Sequence, residues 1–260
     1  MKYGFIGCGN MGGAIAKALS KSTTDIMLSA RSSAKKLSAD LGCCTGSNES
    51  VVSECCKIFL AVKPQVMKSV LEPLNPLLAQ KKPLIITMAA GITISQIEAM
   101  CGCRLPVIRI MPNTPVAVGR GMITYCTNDM VTANDLNDFL SDMQHAGRLD
   151  CIPEALMDAA SSVSGCGPAF MYMFLEAMSD GGVACGLPRE KALDYAAATM
   201  AGAAEMYMQT KAHPGTLKDS VCSPGGSTIE GVKVLEESGF RGAVIDCITA
   251  AYKRNTELGK

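Results

Sequence analysis

The chain has 260 residues, and Lys plus Arg balance Asp plus Glu at 24 each, so no excess basic field is present to hold nucleic acid or an anionic membrane. Hydrophobic residues at 48% against 18% charged predict a sizeable core and some apolar surface covered by another copy, a homodimer or larger homo-oligomer. The opening "MKYGFIGCGN" turns glycine-rich too soon for a signal-peptide core, and no charge-free stretch is long enough to span a bilayer; the expectation is a soluble, cytoplasmic protein.

Strand-like runs come first: "KYGFIG" (2–7), "DIMLSA" (25–30), "KIFLAV" (57–62), "PLIITMAA" (83–90) and "LPVIRIMP" (105–112). Between them, 10–20, 33–42, 64–80 and 93–101 have helical spacing, and strand–helix alternation of this kind predicts a parallel sheet with helices on both faces. "GMITYC" (121–126) and "GRLDCI" (147–152) are candidates for two more strands around a helix at 132–146. From about residue 153 the alternation stops. Long Ala-, Met- and Leu-rich stretches predict helices at 153–163, 168–185, 189–211, 214–221, 227–238 and 240–258, divided by Gly and Pro breakers. The expected organisation is therefore an α/β dinucleotide-binding domain over 1–152 and an all-helical domain over 153–260. Ala169 to Cys185 is apolar nearly all round apart from Glu176 and Asp180, which suits a core or a subunit interface.

The 13 cysteines are dispersed, with no C-x-x-C, and His145 and His213 are isolated. No metal site is expected, and reduced thiols serving as small apolar residues account for the pattern.

"GFIGCGNMGG" places Gly7, Gly9 and Gly12 in a G-x-G-x-x-G after a strand and at the start of a helix, the context of a Rossmann-type dinucleotide site. Gly7 allows the tight turn, Gly9 lets a pyrophosphate approach the backbone, and Gly12 lets helix and strand close up. The second strand ends in "SARSS" with no carboxylate for a ribose hydroxyl. Arg31 with Ser32 and Ser33 suits a 2′-phosphate instead, which favours NADPH while leaving NADH possible; the alternative is that Arg31 is only a solvated surface residue. "AVKP" (61–64) and "MAAG" (88–91) are small-residue turns at the ends of the third and fourth strands, with Lys63 read equally as a cofactor contact or as a turn cap.

A nicotinamide cofactor implies hydride transfer. Dehydrogenases of this shape that act on β-hydroxyacids resemble one another in a G-x-G followed four residues on by a catalytic lysine. In "SGCGPAFMY" that count from Gly167 reaches Met171, and no Lys or His occurs from 164 to 190. An imine substrate removes the need for such an acid, because a protonated C=N carries its own proton. "SPGGST" then gains a role: Gly225 and Gly226 allow successive N–H groups to face a carboxylate, Ser227 or Thr228 begins the next helix, and Thr228 is left to hydrogen-bond the ring nitrogen. The alternative is an ordinary helix cap with a flexible glycine pair.

"LKDSVCSPGGSTIEGVKVLEESGFR" resembles the signature segment of pyrroline-5-carboxylate reductases, and "GFIGCGNMG", "AVKP", "RIMPNTP", "SGCGPAF" and "DGGVACGLPRE" are similar to that family's motifs in the same order along the whole chain. The resemblance implies reduction of 1-pyrroline-5-carboxylate to L-proline, an imino acid substrate, and a helical second domain that builds a dimer and often larger rings. It further implies cofactor contacts at Ile6, Gly7, Cys8, Gly9, Asn10, Met11 and Gly12, at Arg31 and Ser32, at Asn48, at Ala61, Val62 and Lys63, and at Ala89, Ala90 and Gly91. Ser223, Gly226, Ser227 and Thr228 would meet the substrate, Asn113 would support the nicotinamide pocket, and Glu154 corresponds to a position near the substrate. At 220 the chain has Ser where relatives often have Asn. The other readings of the sequence are a β-hydroxyacid or ketoacid dehydrogenase, disfavoured by the missing lysine, and a non-catalytic NADPH-binding sensor, which leaves "SPGGST" without a role.

Overall fold

Alternate side chains of the early strands feed two separate cores, which is why those strands read as unbroken apolar runs. In β1 (Tyr3–Ile6), Tyr3 and Phe5 join one buried cluster and Ile6 the other. In β4 (Lys57–Leu60), Phe59 joins the first and Ile58 and Leu60 the second. The computed structural model describes residues 1–258. Its eight-stranded sheet has the order β3-β2-β1-β4-β5-β6-β7-β8, with β2 (Ile26–Ser29), β3 (Cys44–Thr45), β5 (Leu84–Thr87), β6 (Val107–Met111), β7 (Gly121–Thr127) and β8 (Gly147–Cys151).

The chain starts at β1 near the middle and winds outward first through β2 and β3, then returns to β4 on the other side of β1. The order therefore reverses between β1 and β4, and in open α/β sheets ligands bind beyond the carboxyl ends of the strands at that reversal. Helices α1 (Asn10–Leu19) and α2 (Ala34–Leu41) contribute Ile15, Leu19 and Leu37 to the first core; α3 (Asn48–Glu54), α4 (Pro64–Leu71), α5 (Asn75–Lys81) and α6 (Ile94–Cys101) contribute Val51, Met67, Leu78 and Ile97 to the second.

Several elements depart from the sequence pattern. The helix expected over 64–80 is broken by a 3₁₀ turn at Glu72–Leu74, where Pro73 interrupts the backbone donors, and it restarts as α5 with Pro76 in its first turn. β3 and α3 lie in a stretch that carries no clear periodicity. The sheet is parallel from β3 to β6, but β7 runs antiparallel to β6. The link 112–120 is too short for the crossover a parallel pair requires. β8 pairs parallel to β7 after the crossover through α7 (Ala133–Asp142) and a 3₁₀ turn. The helix expected from 153 opens with a 3₁₀ turn, and α8 proper is Met157–Ser164.

Contacts group Met1–Cys166 with the chain from Ala251 onward, and Gly167–Ala250 form a second unit. The second unit holds α9 (Gly167–Ala184), α10 (Arg189–Thr210), α11 (Pro214–Ser220), α12 (Ser227–Glu237) and the start of α13 (Phe240–Leu258). Within it Phe174 and Phe240 have ring centroids 5.9 Å apart, and Arg189 hydrogen-bonds Ser179 and Asp180. In this unit Ser179, Ala192 and Ala196 are the buried residues, while Met173 is 70% and Ile245 64% exposed. An apolar surface of this kind is what a partner copy covers. No helix among the described residues is long and apolar enough to cross a membrane. Also among the described residues, no group of three or more His, Cys, Asp or Glu stands together as a metal site, and all the cysteines are unpaired.

Candidate functional site

The turn after β1 is shaped by three glycines, each held to its type by a different constraint. Gly7 has φ +99°, and a Cβ there would lie 2.6 Å from the carbonyl oxygen of Ala61. A Cβ on Gly12 would stand 2.8 Å from both Ala61 Cβ and Gly7 O, so α1 reaches the strand ends only through a glycine. Gly9 has nothing within 4 Å of its would-be Cβ, and it is the N-cap of α1 without a side-chain acceptor. The first N–H groups of α1 are thus left for an anion, in the geometry that receives a pyrophosphate. Asn10 and Met11 form the first turn of that helix, and Ile6 ends β1. These residues fit a dinucleotide.

Beside this turn lies an open crevice of about 680 Å³, lined by Cys8, Gly9, Asn10, Gly13, Ala14, Lys17, Ser32, Ser33, Lys36, Leu37, Asp40 and Ala117. Ser33 Oγ donates to the Cys8 carbonyl at 2.7 Å, tying the start of α2 to the phosphate turn. Burial, helped by nearby Cys43, pushes the Cys8 thiol up to about 11, so it stays protonated and apolar at neutral pH. Ser29, the last residue of β2, donates from Oγ to Asn48 Oδ1 at 2.7 Å, which places Asn48 at the same strand end. Arg31 is exposed there and does not line the crevice. Lys17, Ser33 and Lys36 do, and only Ser33 was singled out by the sequence pattern. A helix period that puts 33, 36 and 37 on one side of α2 was the available signal.

Across the reversal point, Ala61 meets both fingerprint glycines, Val62 follows it, and Lys63 is the N-cap of α4 with an extended backbone and no side-chain cap bond. After β5, Ala89 is buried, and Gly91 with φ +74° turns the chain toward α6. Ala90 lies between them in this turn.

Two polar groups brace this end of the sheet. Asn113 is buried; its Nδ2 donates to the Ser164 carbonyl at 2.9 Å and its Oδ1 accepts from the Met122 N–H at 2.9 Å. Both ends of the amide are thereby used in joining β7 to the last residue of α8. Glu154 Oε1 accepts from the Ile94 N–H at 2.8 Å and from Arg109 Nη1 at 3.0 Å. Arg109 is 3% exposed and its Nη2 stands 3.6 Å from Asp158 Oδ1. Glu154 therefore anchors the start of α6, just beyond Gly91, to a buried cation. The resemblance put Glu154 near a substrate; the oxygen that makes these contacts is already committed.

In the second unit the diglycine segment forms a tight turn. Gly225 has φ +69°, Gly226 N donates to the Ser223 carbonyl at 3.0 Å, and a Cβ on Gly226 would meet Ser223 Oγ at 2.3 Å. Gly226 is also the N-cap of α12 and offers no side-chain acceptor, so the first N–H groups of that helix have no side-chain cap. Ser223, Ser227 and Thr228 are exposed around this turn.

Comparison with known proteins gives consistent matches. Residues 2–91 match the family model described as NADP oxidoreductase coenzyme F420-dependent, and 154–258 match the model for pyrroline-5-carboxylate reductase dimerisation. The chain is 41% identical over 266 aligned positions to the pyrroline-5-carboxylate reductase of Escherichia coli, covering 100% of this chain and 98% of that one. Among solved structures, a Plasmodium falciparum pyrroline carboxylate reductase with NADP bound aligns at TM-score 0.89 and 32% identity, covering 100% of this chain and 98% of that one. A Coxiella burnetii pyrroline-5-carboxylate reductase aligns at TM-score 0.90 and 31% identity with the same coverage.

Proposed function

The chain belongs to the pyrroline-5-carboxylate reductase family, and from that premise we propose how its own residues carry the reduction. It is an NAD(P)H-dependent oxidoreductase that reduces the C=N bond of 1-pyrroline-5-carboxylate to give L-proline. Reduced nicotinamide supplies the hydride.

In this proposal the phosphate turn from Gly7 to Gly12 and the free end of α1 hold the pyrophosphate, with Asn48, Ala61 to Lys63 and Ala89 to Gly91 as the remaining cofactor contacts. The absence of a Cβ contact at Gly9 and of a side-chain cap on α1 supports it. Glu154 and Asn113 act as braces that keep the strand-end turns in place, each through the hydrogen bonds described above.

The substrate carboxylate is assigned to Ser223, Gly226, Ser227 and the uncapped N–H groups of α12. Charge-assisted hydrogen bonds contribute about 1.5–3 kcal/mol each, so two or three suffice to orient a small acid. Thr228 hydrogen-bonds the ring nitrogen. The imine is reduced as its protonated form, so the residues need only fix its orientation and balance its charge; no lysine or histidine acid is required in 164–190, where none occurs. The observation that carries the assignment is the glycine N-cap of α12, Gly226, which leaves the first N–H groups of that helix without a side-chain cap.

We further assign cofactor binding to 1–152 and substrate binding with dimerisation to 153–260, a division supported by the dimerisation model matching 154–258. The exposed apolar side chains of Gly167–Ala250 support a homodimer or a larger homo-oligomer as the working form. A reducing compartment, the cytoplasm, suits the unpaired cysteines.

The deciding assay follows NADPH absorbance with purified protein. Oxidation on addition of 1-pyrroline-5-carboxylate, and not with a β-hydroxyacid or ketoacid, is the expected result; turnover of the latter alone would replace this reading with a dehydrogenase.

A further inference from the structure

The connection from α10 to α11 is short, residues 211–213, and it ends on an imidazole. His213 is the N-cap of α11: its Nδ1 accepts from the Gly215 N–H at 3.0 Å, and its carbonyl accepts from the Leu217 N–H at 3.2 Å. Pro214 takes the first helical position, where a missing N–H is no loss. A Cβ on Gly215 would stand 3.0 Å from the same Nδ1 and 3.3 Å from Cε1, so the absence of a side chain at 215 is what lets the ring lie over the helix start.

From this cap the hydrogen bonding runs on to the diglycine turn. The N–H groups of Val221 and Cys222 return to the carbonyls of Lys218 and Asp219 at 3.2 and 3.0 Å. Ser223 follows directly, and its carbonyl accepts from the Gly226 N–H at 3.0 Å. The direction in which α11 sets out therefore decides where Ser223 stands.

Resting on the assignment of the substrate carboxylate to the Ser223–Gly226 turn, we propose that neutral His213 is a positioning residue for the substrate, acting through α11. An imidazole nitrogen accepts a hydrogen bond only while it carries no proton, and histidine changes charge between about pH 5 and 8. Protonation makes Nδ1 a donor facing the Gly215 donor and sets a cation at the positive end of a helix. Both effects release the start of α11. The charged groups around it do not compensate: Lys211, the C-cap of α10, adds positive charge two residues earlier, Lys218 pairs with Asp219 at the far end of α11, and Arg241 of α13 pairs with Glu236. No carboxylate pairs with His213 among the described residues. The grip on the acid thus weakens as pH falls, while the cofactor turn and the hydride step are left alone.

The test compares wild type with His213→Ala and His213→Asn in steady-state assays of the full chain with NADPH and 1-pyrroline-5-carboxylate. At about pH 7.5, His213→Ala should raise the KM for 1-pyrroline-5-carboxylate about fivefold, with kcat and the NADPH dissociation constant within about twofold of wild type, as expected for one lost cap. Asparagine caps helices without titrating, so His213→Asn should restore the wild-type KM at about pH 7.5 and show a KM about threefold below wild type at about pH 5.5. Ionisation of the substrate is common to both proteins and cancels in the ratio. A ratio that does not change between the two pH values overturns the inference, as does a His213→Ala KM within twofold of wild type when Gly226→Ala raises it. A KM unmoved by Gly226→Ala removes the turn from substrate binding, and the inference falls with that reading. Parallel losses in NADPH binding for His213→Ala would make His213 a general stabiliser and overturn its positioning role.

Discussion

Arg109 Nη1 stands 3.0 Å from Glu154 Oε1, and the same oxygen accepts from the Ile94 N–H at 2.8 Å. One carboxylate oxygen thus joins a buried strand cation to the first residue of α6. Breaking a buried pair by removing one partner costs about 3–5 kcal/mol. The cost here falls below that range, because the Glu154 side chain is 34% exposed to solvent screening and Asp158 remains 3.6 Å from the other guanidinium nitrogen. Glu154→Ala should therefore lower the melting temperature and raise the KM for NADPH, as the turn through Gly91 loosens. Glu154→Gln keeps an acceptor oxygen in the same place and should stay within about threefold of wild-type kcat. A hundredfold fall in kcat for Glu154→Gln at an unchanged melting temperature would return this carboxylate to the chemistry.

Thr228 offers a hydroxyl one position into the uncapped α12, and its removal should act on the chemical step alone. Thr228→Ala is expected to reduce kcat by ten- to a hundredfold, about 1.5–3 kcal/mol of barrier, with the NADPH dissociation constant unchanged. Unchanged steady-state kinetics would take Thr228 out of the mechanism.

Gly226→Ala acts differently, since the new Cβ would sit 2.3 Å from Ser223 Oγ and must push that side chain aside. The backbone at 226 is extended and tolerates alanine, so the fold should survive. The KM for 1-pyrroline-5-carboxylate should rise about tenfold while NADPH binding holds. A KM within twofold of wild type would mean that Ser223 and this turn do not grip the carboxylate.

The parts of the site that sequence revealed are those with local requirements. A left-handed φ at Gly7 and a close approach at Gly12 demand glycine, and glycine at a fixed spacing after an apolar strand is visible in one dimension. Arg109 gave half a signal: a charge within "LPVIRIMP" needs a partner, but Glu154 is 45 residues away and on another element. Lys36 gave only the helix period that sets 33, 36 and 37 on one side of α2, and whether that side lines a crevice depends on how α2 lies against α1. β3 is two exposed residues, and α3 buries the adjacent Val51 and Val52, so neither presents a clean period of two or 3.6. The break inside 64–80 was legible in Pro73 and Pro76, both placed in the first turn of a new helical segment.

Gly9 and Gly7 should separate binding from folding. Gly9 has open space where a Cβ would go, so Gly9→Ala should leave the melting temperature near wild type and obstruct the pyrophosphate, raising the NADPH dissociation constant at least tenfold. At Gly7 the added Cβ would meet the Ala61 backbone at 2.6 Å with φ at +99°, so Gly7→Ala should lower the melting temperature as well. Equal melting temperatures for the two variants would contradict the close approach of the turn to Ala61.

Burial of several thiols makes the stability of the fold depend on pH in alkali. Burial raises Cys8, Cys55 and Cys126 from 9.0 to about 11 and Cys101 to about 12. The fold therefore favours the protonated thiol. That contribution is complete below about pH 9, where the unfolded chain also keeps its protons, and is lost as pH climbs toward 11–12 and the unfolded thiols ionise first. Burial together with the hydrogen bond to Asp142 raises Tyr3 as well, with the same sign. The melting temperature should hold between pH 7 and 9 and fall above it. The discriminating comparison is Cys101→Ala against wild type. The variant loses some packing at neutral pH but should show a shallower decline between pH 9 and 11, because one buried group that resists ionisation is gone. Parallel declines for the two proteins would show that Cys101 does not contribute to the alkaline transition.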